Sequence, residues 1–225
     1  PGQDLLSLIM TALSVPNSIS DDYPGVLMVT SAGNSGHGYG TIGLPGASPT
    51  AISVGATTNN IFVGYGPFKD EPRFGNTTSH ADHVVDFSSR GPSIIGDPKP
   101  DLMSVGAYSF APSSVTKYSE DSKDEPFGMF GGTSMSAPII SGSAALVMQS
   151  LNEKSQPFAP YDVKNILMSS ATDLQNDVFT QGTGLVDSFQ AVKSVNGHGG
   201  TFIVHNSMGT SNIESILHES INNVN

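Results

Sequence analysis

The residues best suited to chemistry lie together in Gly131-Gly132-Thr133-Ser134-Met135-Ser136-Ala137-Pro138. The stretch carries no charge and leads into an apolar segment, Ile139 to Met148. Paired glycines let the chain turn tightly and let other backbone approach. Thr133 is of a type that caps helices. Proline is tolerated only near a helix start, so Pro138 predicts that a helix begins just before it and runs from about Thr133 to Leu151. Ser134 then sits at a helix N-terminus, where unpaired N–H groups and the positive end of the dipole favour developing negative charge. An acyl-transfer nucleophile gains from that position. A capped core helix explains the same pattern without chemistry. A Gly-x-Ser-x-Gly elbow is excluded, because Ser136 stands where its second glycine belongs. Ser114-Val115-Thr116-Lys117 fits Ser-x-x-Lys by chance, since neither Ser-Asp-Asn nor Lys-Thr-Gly accompanies it.

A second polar cluster follows the apolar run Val26-Leu27-Met28-Val29-Thr30, which predicts a buried strand. The strand ends in Ser31-Ala32-Gly33-Asn34-Ser35-Gly36. A polar glycine-rich loop at a strand end is where an open α/β sheet presents functional groups. Asn34 is either a turn residue or a neutral N–H donor. His37, His80 and His83 fall in or near irregular loops, without a recognisable ligand spacing, and read as solvated surface residues.

The elements that position these groups follow from the pattern. Residues 3–15 place Leu5, Leu6, Leu8, Ile9, Ala12 and Leu13 at helical spacing. Ala51 to Thr57 reads as a strand, and Val84-Val85 begins another before turning. Residues 161–170 predict a helix through 163, 166 and 167. Residues 59–85 are broken by glycine and proline and read as an exposed insertion. Residues 117–126 are acidic; a solvated loop is the plain reading and a calcium site the sharper one.

At 225 residues the chain is long enough for a core of its own. Nine scattered basic residues and a net charge of −11 exclude a nucleic-acid or anionic-membrane footprint. Without cysteine there is no disulfide, thiol chemistry or zinc-thiolate site. No apolar run reaches the length of a membrane span.

Taken in order, these segments resemble the subtilisin-like serine proteases. Gly131 to Pro138 resembles their nucleophile signature. Ala32-Gly33-Asn34-Ser35-Gly36 resembles their oxyanion segment, and Phe87-Ser88-Ser89-Arg90-Gly91 and Lys99-Pro100-Asp101 resemble later family stretches. Gly182-Thr183-Gly184-Leu185-Val186-Asp187 resembles the run before their final helix. The family usually has Ala-Pro-Gly where this chain has Ser104-Val105-Gly106. The resemblance implies an α/β fold, a three-layer sandwich with a mostly parallel sheet, incomplete in this chain. It covers residues 1–195, the C-terminal part of a catalytic domain, with 196–225 a linker and extension or the start of a further domain. It implies Ser134 as nucleophile and Asn34 as oxyanion donor. It also implies Ser31, Ala32 and Gly33 as a wall of the P1 cleft, Gly43 at the pocket base and a cis Leu44-Pro45 bond.

Family order is aspartate, histidine, serine, and nothing before Asn34 supplies the first two. The triad aspartate and histidine are therefore expected from an upstream segment, with polypeptide substrates, a propeptide, an extracellular or cell-surface setting, and no cofactor beyond structural calcium. The alternatives are a family-derived binding or regulatory module and an unrelated serine hydrolase using His37 or His83.

Overall fold

The computed structural model describes residues 3–58, 83–107, 109–112 and 127–198. The expected 59–85 insertion lies largely outside them, as do His80, the acidic loop 117–126 and the extension beyond 198.

The first helix, α1, spans Leu5–Ser14. The Asp4 carboxylate caps it, accepting from the Ser7 N–H at 3.0 Å. Its buried face is not the apolar one. Ser7, Met10, Thr11 and Ser14 turn inward, while Leu5 is 75% exposed and Leu6, Leu8 and Ile9 are also exposed. The Thr11 and Ser14 hydroxyls satisfy themselves on the Ser7 and Met10 carbonyls, each at 2.8 Å.

Strands β1 (Val29–Ser31), β2 (Ile52–Thr57) and β3 (Leu102–Val105) form a parallel sheet in that order. Val29 pairs with Ile52, and Val54 with Leu102. Every residue of β2 is buried, as expected for a central parallel strand covered on both faces. β1 starts later than the sequence predicts, although Met28 C=O still accepts from Ile52 N–H at 2.8 Å. Val84 makes only an isolated bridge to Thr57. An antiparallel pair, β4 (Ser109–Pro112) and β5 (Phe127–Phe130), precedes the long helix.

That helix, α2, spans Thr133–Glu153 and lies across all three parallel strands. Ile140, Ala144, Val147 and Leu151 recur at helical spacing and meet Ile52, Val54 and Leu102. Helices α3 (Pro160–Ser169) and α5 (Ser188–Val195) close the same cluster with Val163, Leu167 and Ala191. Each large aliphatic side chain buried here contributes about 1.5–3 kcal/mol. The short helix α4 spans Val178–Gln181. Pro138 lies inside α2, five residues past its start, and the helix begins at Thr133 as the sequence predicts. Lacking an N–H, Pro138 leaves the Ser134 carbonyl without its intrahelical donor.

A buried ionic cluster seals the other end of the sheet. Lys99 Nζ meets Asp101 Oδ2 at 2.6 Å, and Lys164 Nζ meets Asp101 Oδ1 at 3.0 Å. The Ser53 N–H donates to Asp101 Oδ2 at 2.7 Å, and both lysines donate to the Ala51 carbonyl. Burial pulls the Lys99 pKa down to about 8, with Asp101 opposing that shift. Asp101 is held below its ordinary value: burial pushes it upward, but Lys164, Lys99 and the hydrogen bonds outweigh that.

Candidate active site

β1 delivers the first half of the site. Beyond Ser31, the Ala32 N–H still donates to Val54 C=O at 2.9 Å, and the chain then leaves the sheet. Gly33 takes φ +114, and a Cβ there would stand 2.8 Å from Ser89 Oγ and 3.3 Å from Gly43 N. Only glycine allows both that conformation and that contact. Ser89 then holds the turn from two sides. Its N–H donates to Gly33 C=O at 3.0 Å, and its Oγ accepts from Ser35 N–H at 3.1 Å.

α2 delivers the second half. Gly132, with φ +135, is its N-cap, and no side chain caps it. Thr133, predicted as the cap, is the first helical residue instead. Its hydroxyl is used elsewhere, donating to Asn34 Oδ1 at 2.9 Å and accepting from Gly33 N–H at 3.3 Å. The Thr133 N–H also donates to Asn34 Oδ1, at 2.9 Å. Both donors fix the carboxamide oxygen, so the amide's two N–H bonds point away from Thr133. A Cβ on Gly132 would lie 3.3 Å from that nitrogen, so glycine here also makes room for the amide.

Ser134 is exposed at the second position of α2. Its backbone N–H belongs to the first turn, where no intrahelical carbonyl reaches. Its Oγ makes no hydrogen bond among the described residues. Asn34 is also exposed, and Thr133 bridges the two residues. The start of α2 thus carries an exposed hydroxyl without a partner among the described residues, a first-turn N–H and, held on Thr133, a carboxamide whose oxygen is fixed. His37 and His83 are exposed, and neither hydrogen-bonds to Ser134.

Gly43 donates its N–H to Ala32 C=O at 2.9 Å, which brings the predicted pocket base against the predicted wall. Among the described residues, a Cβ at Gly43 would meet only the Ala32 carbonyl, at 3.9 Å. The Leu44-Pro45 bond is cis. Among the described residues, no group of three or more histidine, cysteine or acidic side chains is placed to hold a metal ion.

The sequence shows no sign of the Thr133 clamp on Asn34. A threonine at a helix start reads as a cap whether its hydroxyl turns to the helix or to a loop 99 residues earlier.

The chain is 32% identical to pyrolysin of Pyrococcus furiosus in an alignment of 197 residues that covers 77% of this chain and 13% of pyrolysin. It is 31% identical to serine protease AprX of Bacillus subtilis over 174 residues, 75% of this chain and 35% of AprX. It therefore spans well under half the length of these relatives. Among solved structures, the self-cleaved protease domain of PatA superposes with a TM-score of 0.54 at 21% identity, covering 78% of this chain and 52% of that one. That likeness speaks to the α/β fold alone. The family model described as the subtilase family matches residues 10–199, a span that contains both halves of the site, so the chain belongs to the subtilase family.

Proposed function

We propose that this chain carries the nucleophile and the oxyanion donors of a serine endopeptidase that cleaves polypeptides. Ser134 Oγ attacks the scissile carbonyl carbon, and the carbonyl oxygen becomes an oxyanion. The Asn34 Nδ2–H and the Ser134 backbone N–H donate to that oxyanion. The upstream histidine takes the Ser134 proton, the tetrahedral intermediate collapses with cleavage of the C–N bond, and the histidine passes that proton to the leaving amine; water then hydrolyses the acyl-enzyme, releasing the acid and regenerating Ser134. Proton transfer needs a base and an orienting carboxylate. Both come from an upstream segment bearing the aspartate and histidine, so the chain by itself is inactive. Ser31, Ala32, Gly33 and Gly43 border the P1 cleft. A propeptide, an extracellular setting and structural calcium belong to the same reading, and no cofactor takes part in the chemistry.

The Thr133 clamp carries the proposal. Two donors hold the Asn34 carboxamide by its oxygen at the start of α2, next in sequence to an exposed serine whose hydroxyl has no partner among the described residues. A structural asparagine would turn both ends of its amide into the fold.

Fluorophosphonate labelling tests it. The protein joined to its upstream segment should label at Ser134 and lose labelling as Ser134→Ala. The chain alone should label about 10²–10⁴-fold more slowly, the contribution of a general base. Equal rates would overturn the missing-base argument. No labelling of the joined protein would favour a non-catalytic binding module derived from the same family.

A further inference from the structure

The loop from Gly36 to Gly43 joins the oxyanion donor to the pocket base. Glycine stands at 36, 38, 40 and 43, so the loop has little stiffness of its own. Among the described residues, a Cβ at Gly36 or Gly40 would meet nothing within 4 Å. Backbone bonds tie the loop down: Gly36 N–H to Phe87 C=O at 3.0 Å, Gly40 N–H to Gly91 C=O at 2.9 Å, and Thr41 N–H to Arg90 C=O at 2.9 Å.

The loop's tip is held by a side chain. Tyr39 Oη donates to Asp177 Oδ2 at 3.0 Å, 138 residues away. The Tyr39 ring meets Phe179 edge to face, with centroids 6.4 Å apart. Asp177 is itself fixed, accepting from Phe179 N–H, Thr180 N–H and Thr180 Oγ1 as the cap of α4. Phe179 C=O accepts from Gly91 N–H at 2.9 Å, and Gly91 C=O holds Gly40. Tyr39, α4, Gly91 and Gly40 thus close a ring of contacts.

We propose that Tyr39, with Asp177 and Phe179, is a positioning residue that holds the Gly36–Gly43 loop on α4 and so sets the shape of the P1 cleft. The proposal rests on the peptidase reading, which places Gly43 in that cleft. The oxyanion donor does not depend on this tether, because Thr133 clamps Asn34 separately. Loosening Tyr39 therefore acts on substrate binding and P1 choice and leaves turnover alone.

Two variants separate the contacts: Tyr39→Phe keeps the ring, and Tyr39→Ala removes ring and hydroxyl. Hydrogen exchange on this chain reads the tether without any activity. In Tyr39→Ala, amides 38–43 should exchange about tenfold faster, the size of one lost hydrogen bond to a charged group, with α2 unchanged. In the protein joined to its upstream segment, Tyr39→Ala should raise KM for large P1 residues about tenfold and leave kcat within about twofold, and Tyr39→Phe should recover part of the loss. Unchanged loop exchange in folded Tyr39→Ala would overturn the tether. A kcat that falls with unchanged KM would overturn its role in the cleft. A joined protein without hydrolysis would remove the peptidase reading, and the exchange result would still decide the tether.

Discussion

The two ends of the parallel sheet use polar groups in opposite ways. Beyond the C-terminal ends of β1 and β3, Ser134 and Asn34 face solvent, and the Ser134 hydroxyl has no partner among the described residues. Before the N-terminal ends of β2 and β3, Lys99 and Asp101 are almost wholly buried, and Lys164 nearly so. Every charge there is paired and reinforced by backbone groups. The difference follows from what each end must do. A reacting group has to be presented with its partner positions open, because the substrate completes them. A buried charge left open would cost several kcal/mol, so the other end admits no vacancy.

The comparison can be broken at either end. The largest effect on stability is expected from Asp101→Asn, which leaves two lysines facing each other around a neutral amide. Removing one partner of a buried ionic group costs about 3–5 kcal/mol, to be read from urea unfolding of the chain. A loss under about 1 kcal/mol, the value of an exposed pair, would show that solvent reaches the cluster.

At the other end, Asn34→Ala leaves the Thr133 N–H and hydroxyl without their acceptor, a loss of about 1–3 kcal/mol, and should lower fluorophosphonate labelling in the joined protein by about 10²–10³, the range found for an oxyanion donor in subtilisin itself. A large loss of stability with an unchanged labelling rate would make Asn34 structural, and the contrast between the two ends would disappear.

The smallest effect sharpens the comparison through pH. Asp101 has a lowered pKa when folded, so its contribution is present above the ordinary carboxylate value of 3.8 and is lost as pH falls below it. Lys99 runs the other way. Its folded pKa of about 8 lies below the 10.5 of the free side chain, so between those values the unfolded chain binds more protons. Stability should therefore rise from pH 8 towards 10.5 as the cost of a buried charge lapses. Lys99→Met keeps Asp101 paired with Lys164 and should flatten this alkaline rise in melting temperature. An equal rise in the variant would assign it to another group.

Much of the fold was legible because it rests on local signals. The apolar run before Asn34, the buried strand at 52–57 and the helices at 5–14, 133–153 and 160–169 all announce themselves by periodicity or β-branching. The same signals misplaced other features. In α1 the spacing of Leu5, Leu8 and Ile9 marks a helix, but Ser7, Thr11 and Ser14 are the residues that turn inward. Periodicity reports which residues share a face and says nothing of which face meets a neighbour. β5 and α4 are only four residues each, too short to show a period.

Ser134 and Asn34 were marked by the order in which these segments resemble the subtilisin-like family; as local patterns alone, a serine after Gly-Gly-Thr at a helix start and an asparagine at a strand end read as well as a cap and a turn. The contacts between them depend on distant parts of the chain. Thr133 could cap its own helix or bind Asn34, and only the approach of β1 to the start of α2 gave its hydroxyl the second partner. Tyr39 could be any exposed tyrosine until α4 came within reach of it. Lys99-Pro100-Asp101 could be a charged surface turn until α3 brought Lys164 across the sheet end. Sequence carries the residue types and their local spacing. Which donor finds which acceptor across a hundred residues is set by packing, because a buried polar group is held to whichever partner the fold brings within hydrogen-bond distance.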